Sequence, residues 1–414
     1  MGKGAVGLVA GYWPDDVFRH LAIPGLSLDD CLLARPLRRF PDHRALLVGY
    51  SKLSYRELAA EVERWATALA GALTEGERRV ALVSADPLQL ATVFLAAMKR
   101  RCALFLADAD RPINELIKQI EVFGANLVVA GSGMNPDFLA RPNVPWRTIT
   151  VRDLARSEPG RPSPPARVDL KAPAVALAGP RGRLVHHSHA SLVAWAISWS
   201  AFLPVTERHV FCSLEPLFSW GGLLALLAAL SRGATCSFLG AGSAKDRLLQ
   251  LREQTPDYAI LSFDQARALA QGGNSVGQTL DGRLGAAFVT VDAPFAVGER
   301  RRIETAFDVP LLTLFGNAVS GPAVSAHPSW YLDESVGIPV TNVDLWPLHP
   351  QTGEPLAVPW EAIDYAELGV RSPMLAPEHQ TPEERAEWVK DGWLRTHLTA
   401  LMDPSGLFYF RPWR

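Results

Sequence analysis

Residues 214–238 read LEPLFSWGGLLALLAALSRGATCSF. The segment from Trp220 to Leu230 is the longest strongly apolar run in the chain. It is too short to cross a bilayer, which needs about 20 apolar residues. Gly233 follows the run and predicts a helix end, because glycine adopts the left-handed cap at no steric cost. ATCSFL then predicts a short strand. A helix feeding a strand in this way belongs to an α/β unit.

The same alternation extends outward in both directions. Upstream, LSYRELAAEVERWATALAGAL carries Leu58, Val62, Trp65 and Leu69 on one helical stripe, and Ser54 with Glu57 forms a capping box at its start. RVALVSA reads as a strand, and PLQLATVFLAAMKRR as a helix with Pro87 in its first turn. CALFLA, INELIKQIEVFG and NLVVAG continue as strand, helix and strand. Downstream come DRLLQLREQ, YAILS, LGAAFVTV, GERRRIETAF and VPLLTLFG, alternating in the same way. A polar, proline-rich stretch near 157–173 punctuates the chain, and short strands and turns dominate after about 330. The fold class expected is α/β, with layered β-sheets flanked by helices. Residues 1–330 form two similar sub-lobes with a break near 157–173, and 331–414 form a small β-rich subdomain.

Composition narrows the function classes. At 48% hydrophobic and 20% charged, the 414 residues suit a soluble globular protein with two or three packed units. A net charge of −2 offers no basic stripe for nucleic acid. Cys31, Cys102, Cys212 and Cys236 are far apart, which argues against a disulfide framework or thiolate metal site and fits a reducing compartment. The N-terminus lacks the pattern of a signal peptide, and no segment is long enough to span a membrane, so a cytoplasmic location is expected.

The order of these elements resembles the large N-terminal domain of the adenylate-forming (AMP-binding) superfamily, which includes acyl- and aryl-CoA ligases and adenylation domains. The resemblance runs from about residue 28 to the end. It is carried by LEPLFSWGGLLALLAALSRGATCSF, by VGIPVTNVDL and TGEPL, and by DGWLRTHLTALMDPSGLFYF. It implies conversion of a carboxylate and ATP to an acyl-adenylate, then transfer to a thiol. It further implies a hydroxyl-rich phosphate loop ending in lysine, an aromatic-Gly-x-Thr-Glu motif holding phosphate and magnesium, and a Thr-Gly-Asp whose aspartate holds the ribose. A lysine on a mobile C-terminal lid domain completes the set. The chain ends at Arg414, where that domain would begin, so the lid is expected to be absent.

At these positions the chain departs from the family. In register with Thr-Ser-Gly-Thr-Thr-Gly-x-Pro-Lys stand Val175, Ala176, Leu177, Ala178, Gly179, Pro180, Arg181, Gly182 and Arg183. Every hydroxyl is gone, Pro180 has no N–H, and only the charge of Arg183 survives. Ala318 replaces the threonine after Phe315 and Gly316, and Val319 replaces the glutamate. Magnesium demands oxygen ligands, which an isopropyl group lacks. Asp292 crowds the expected adenine shelf, and Leu398 replaces the ribose-binding aspartate. His186, His187 and His189 admit three readings: an inherited loop and cap, a metal cluster, or a general base at His187 or His189. Asp292 is a further catalytic candidate.

The acyl or aryl pocket implied by the resemblance falls at Phe218, Ser219, Trp220, Gly221 and Gly222, with Phe315 and Gly316 above it. Glycine beside a large aromatic suits a flat or long apolar group. The expectation is a degenerate member of the family that cannot carry out ATP-dependent adenylation. It would be retained to bind an acyl or aryl compound or thioester, an acyl carrier protein or a partner enzyme in acyl metabolism. Two alternatives stand beside it. One is an AMP-forming ligase that uses ATP and Mg²⁺ and takes its lid from another chain. The other is an ATP-independent acyltransferase with a histidine base.

Overall fold

A computed structural model describes residues 13–141, 143–156, 168–179, 182–240, 242–271, 284–291, 297–332, 334–376 and 388–411. The helix expected from the opening stretch spans Trp220–Arg232. Ser219 caps it, its hydroxyl accepting the N–H of Gly222 at 3.0 Å. At the other end Gly233 takes φ +77°, and the Phe40 ring fills the space a Cβ would need. Only glycine satisfies both demands. Every residue from Gly221 to Leu230 is buried. Burying each leucine here contributes about 1.5–3 kcal/mol.

A helix apolar on all sides must be covered on all sides. Helix Trp220–Arg232 packs on helix His189–Phe202, whose Trp195, Trp199 and Phe202 are fully buried. It also lies against a nine-stranded sheet. The order in that sheet is Ile338–Pro339, Gly321–Ser325, Leu311–Asn317, Ala286–Val291, Tyr258–Ser262, Val210–Ser213, Thr235–Phe238, Arg44–Val48 and Ser51–Ser54. Its six central strands are parallel and its edges antiparallel. A six-stranded sheet orders Arg147–Thr150, Leu127–Ala130, Arg79–Val83, Ala103–Ala107, Pro173–Ala178 and Leu184–Ser188. The last of these is antiparallel to its neighbour. Side chains alternate across this sheet, as the pleat requires. Val80 and Leu82 enter the main core, while Ala81 and Val83 enter a second core with Leu116, Ile120 and Phe123 of helix Ile113–Phe123.

The sheets cross the break expected near 157–173. Strand Arg44–Val48 pairs in parallel with Thr235–Phe238, and the hairpin 173–188 joins the six-stranded sheet of the first half. Long-range pairing therefore knits the two sub-lobes together. Within 331–414, Asp344–Leu348, Ala366–Arg371, Trp393–Met402, Val389–Lys390 and Phe408–Arg411 form a five-stranded antiparallel sheet. The Ser54–Glu57 capping box is present in both directions, with the serine oxygen receiving the Glu57 N–H at 3.2 Å. Among the described residues no helix is long and apolar enough to cross a membrane. The four cysteines are buried free thiols.

Candidate functional site

Strands Tyr258–Ser262, Ala286–Val291 and Leu311–Asn317 run parallel and end together. In open α/β sheets, ligands bind outside the carboxyl ends of such strands. A cavity of about 490 Å³ opens there, a size that suits a small organic ligand. Ser262, Thr290, Val291 and Gly316 line it from the strand ends, and Trp220, Ala178 and Gly179 line it as well. Phe263, Asp264, Asn317 and Ala318 complete the lining among the described residues.

Local chemistry holds each wall. Ser262 starts helix Phe263–Gln271 through a reciprocal cap: its oxygen accepts the Gln265 N–H at 3.2 Å, and the Gln265 side chain accepts the Ser262 N–H at 2.9 Å. The spacing Ser-x-x-Gln is a signal that a motif scan finds. Asn317 folds its own side chain back over the turn, and Oδ1 accepts the N–H groups of Val319 at 2.8 Å and Ser320 at 3.0 Å. Such turns are a common role of asparagine. Both N–H groups are thereby taken up inside the protein.

The glycines beside Trp220 do not open space for a ligand. A Cβ on Gly221 would lie 2.7 Å from a carboxylate oxygen of Glu215, and one on Gly222 would strike the Pro216 carbonyl. Both allow the chain to approach itself. Phe218 packs against the main core, and Phe315 is buried edge-on to Phe410 at 4.6 Å. Of the expected pocket residues, Trp220 and Gly316 reach the cavity. The sequence reading left out Glu215, which is buried beneath Gly221. Ser219 donates to it at 2.6 Å and Thr290 donates from the cavity wall. Burial raises the pKa of this carboxyl, while the two hydroxyls and the Gly221 N–H oppose the shift.

The three histidines diverge. His186 stacks on Phe123 at 6.0 Å. His187, fully buried, points Nε2 at the Ala318 carbonyl, 2.6 Å away, and meets Trp195 edge-on at 4.8 Å. His189 accepts the Leu28 N–H on Nδ1 at 3.2 Å, and burial lowers its pKa to about 4, aided by nearby Arg101. His186 and His187 alternate across strand Leu184–Ser188, and His189 starts the next helix. Ser188 and Ser191 cap that helix reciprocally. None of the three lines the cavity among the described residues, and no group of three or more His, Cys, Asp or Glu side chains there could hold a metal ion.

Much of the stretch in register with a phosphate loop is strand. Pro173–Ala178 pairs with Ala103–Ala107 on one side and with Leu184–Ser188 on the other, and Val175, Ala176 and Leu177 are buried. Beyond the strand, the Gly179 N–H donates to the Arg183 carbonyl at 2.7 Å. Ala318 lines the cavity with a methyl group, and Val319 is buried in the main core. Leu398 packs against the core from the five-stranded sheet. Arg181 and Asp292 lie outside the described residues.

A sequence profile of the AMP-binding enzyme family matches residues 33–175 and 181–378. A long-chain-fatty-acid–CoA ligase of Bacillus subtilis (strain 168) is 30% identical over 120 residues. That match covers 28% of this chain and about a fifth (21%) of the ligase. The o-succinylbenzoate coenzyme A synthetase of Bacillus subtilis, solved in complex with AMP, superposes with a TM-score of 0.78 at 18% identity, covering 92% of this chain and 77% of that one. The N-terminal domain of FACL13 from Mycobacterium tuberculosis superposes with a TM-score of 0.81 at 17% identity, covering 94% of this chain and 100% of that domain. At these identities the structural likeness is one of fold.

Proposed function

The chain belongs to the AMP-binding enzyme family, and from that premise we propose that it binds an acyl or aryl group in the strand-end cavity without carrying out ATP-dependent adenylation. The observation that carries this reading is the turn Gly316–Ser320. Its side chains at 318 and 319 are hydrocarbon, and the N–H groups of Val319 and Ser320 are already bonded to Asn317. A magnesium–triphosphate needs oxygen ligands for the metal and free donors for the phosphates. At 318 and 319 this turn offers the metal no side-chain oxygen, and two of its N–H groups are withdrawn from a phosphate.

The strand pairing that runs up to Ala178 supports the same reading. Strand pairing across 173–178 engages the backbone that a phosphate loop leaves free. The residues described at these two places do not fit a magnesium–nucleotide. The apolar side of the cavity is retained, with Trp220, Phe263 and Val291 on its wall. A flat or extended apolar group is buried well by such a surface. An acyl carrier protein or partner enzyme that delivers the group fits this role, and the four buried thiols suit a reducing compartment.

The test is calorimetric titration of the pure protein, first with ATP and Mg²⁺ to millimolar concentration and then with octanoyl and benzoyl N-acetylcysteamine thioesters. No heat with nucleotide is expected, together with saturable thioester binding that Trp220→Ala removes. One-to-one nucleotide binding with pyrophosphate exchange would overturn the proposal in favour of an AMP-forming ligase.

A further inference from the structure

Glu215 is a buried carboxyl one hydrogen bond behind the cavity wall. It is 6% exposed. Its Oε1 receives the hydroxyl proton of Thr290, which lines the cavity, and its Oε2 receives that of Ser219 at 2.6 Å. The N–H of Gly221 reaches it too. These partners are neutral donors. The absence of a side chain at Gly221 is what admits the carboxyl group.

The arrangement has two consequences for a ligand. First, the described lining carries no lysine or arginine, and its one charged side chain, Asp264, is exposed and paired with Arg267 at 3.3 Å. A ligand carboxylate entering this space gives up hydration and finds no cation in that lining to offset the loss, which is unfavourable. Second, Thr290 has given its only hydroxyl proton to Glu215. It presents lone pairs to the cavity and accepts a hydrogen bond without donating one. A carboxylate, which only accepts, finds no partner there. A neutral acyl derivative avoids that desolvation cost, and an amide N–H is met by the Thr290 oxygen.

We propose that Glu215, acting through Thr290, makes the cavity select acyl groups already carried as a neutral amide, ester or thioester over the free carboxylic acid. This rests on the acyl-binding reading above and names the form of acyl group that the site takes.

Isosteric pairs test it, because they differ in charge and donors but hardly in shape. Octanoate against octanamide and benzoate against benzamide are titrated into the wild-type protein and into Glu215→Gln, with octanoyl N-acetylcysteamine as a neutral reference. The wild-type protein is expected to bind each amide at least tenfold more tightly than its acid. Glu215→Gln should narrow that ratio to within threefold, mainly by strengthening the acid, and leave the thioester within threefold of wild type. Equal binding of acid and amide by the wild-type protein overturns the selection without any variant. An unchanged ratio in a folded Glu215→Gln protein overturns the assignment to Glu215. Failure of acid, amide and thioester alike overturns the acyl-binding reading itself, and the selection with it.

Discussion

His187 Nε2 donates to the carbonyl oxygen of Ala318 across 2.6 Å, joining a strand of the six-stranded sheet to the turn that lines the cavity. A carbonyl only accepts, so the bond places the ring proton on Nε2. The histidine works as a strut between two sheets, and the cavity wall depends on it.

Removing the strut should therefore affect both stability and the site. His187→Ala leaves a void beside Trp195 and a buried carbonyl without its donor. Together these should cost about 2–4 kcal/mol. His187→Gln, which keeps a donor, should cost less. Urea denaturation gives the stability difference, and titration with octanoyl N-acetylcysteamine should show weaker binding in the alanine variant than in the glutamine one.

His189 makes the fold acid-sensitive. Its native pKa lies near 4 against an ordinary value of 6.5, so the unfolded chain holds the proton more tightly. Stability from this residue is complete above about pH 6.5 and is lost as pH falls toward about 4, by up to about 3 kcal/mol. His189→Asn keeps an acceptor for the Leu28 N–H and removes the titration. Denaturation midpoints measured at steps from pH 7.5 to 4.5 should fall less steeply in the variant; parallel curves would refute the assignment.

Glu367 is fully buried and receives the Arg395 fork, with its shortest contact at 2.7 Å, and the His397 N–H at 3.0 Å. Glu367→Ala takes the carboxylate from a partly buried guanidinium that keeps its bond to the Pro350 carbonyl at 3.0 Å, and should cost about 3 kcal/mol. The double variant Glu367→Leu with Arg395→Met should recover much of that loss, because no unpaired charge is left behind. Chemical denaturation of the single and double variants decides between these outcomes.

His397 sits at φ +56°, in the left-handed region that a side chain disfavours, and its ring is half exposed. His397→Gly keeps the backbone bond to Glu367 and relieves that strain. The net gain should be roughly 0.5–1 kcal/mol after the added freedom of the unfolded chain is counted. A rise in Tm confirms it, and a fall would mean that the ring's contact with Glu367 outweighs the strain.

The sequence by itself determined the elements and their order. Helix Trp220–Arg232 was legible from its unbroken apolar run and Gly233, and helix Tyr55–Ala72 from Ser54 and Glu57. These are short-range signals, written within a few residues of where they act. That positions 318, 319 and 398 carry hydrocarbon side chains was legible too, because such a side chain lacks polar atoms wherever it lies. Only the tertiary structure decided which residues meet. Gly221 and Gly222 read as room for a ligand, yet Glu215 and Pro216 fill that room. The three histidines left three readings open, and the strand's alternation and the start of a helix send them to Phe123, Ala318 and Leu28. Thr290 lies 75 residues from Glu215 in the chain and meets it where strand Ala286–Val291 ends beside the helix start at Trp220. Sequence spacing carries no such information: contacts of this kind arise when sheets and helices close over a shared core, and the packing of the whole chain sets them.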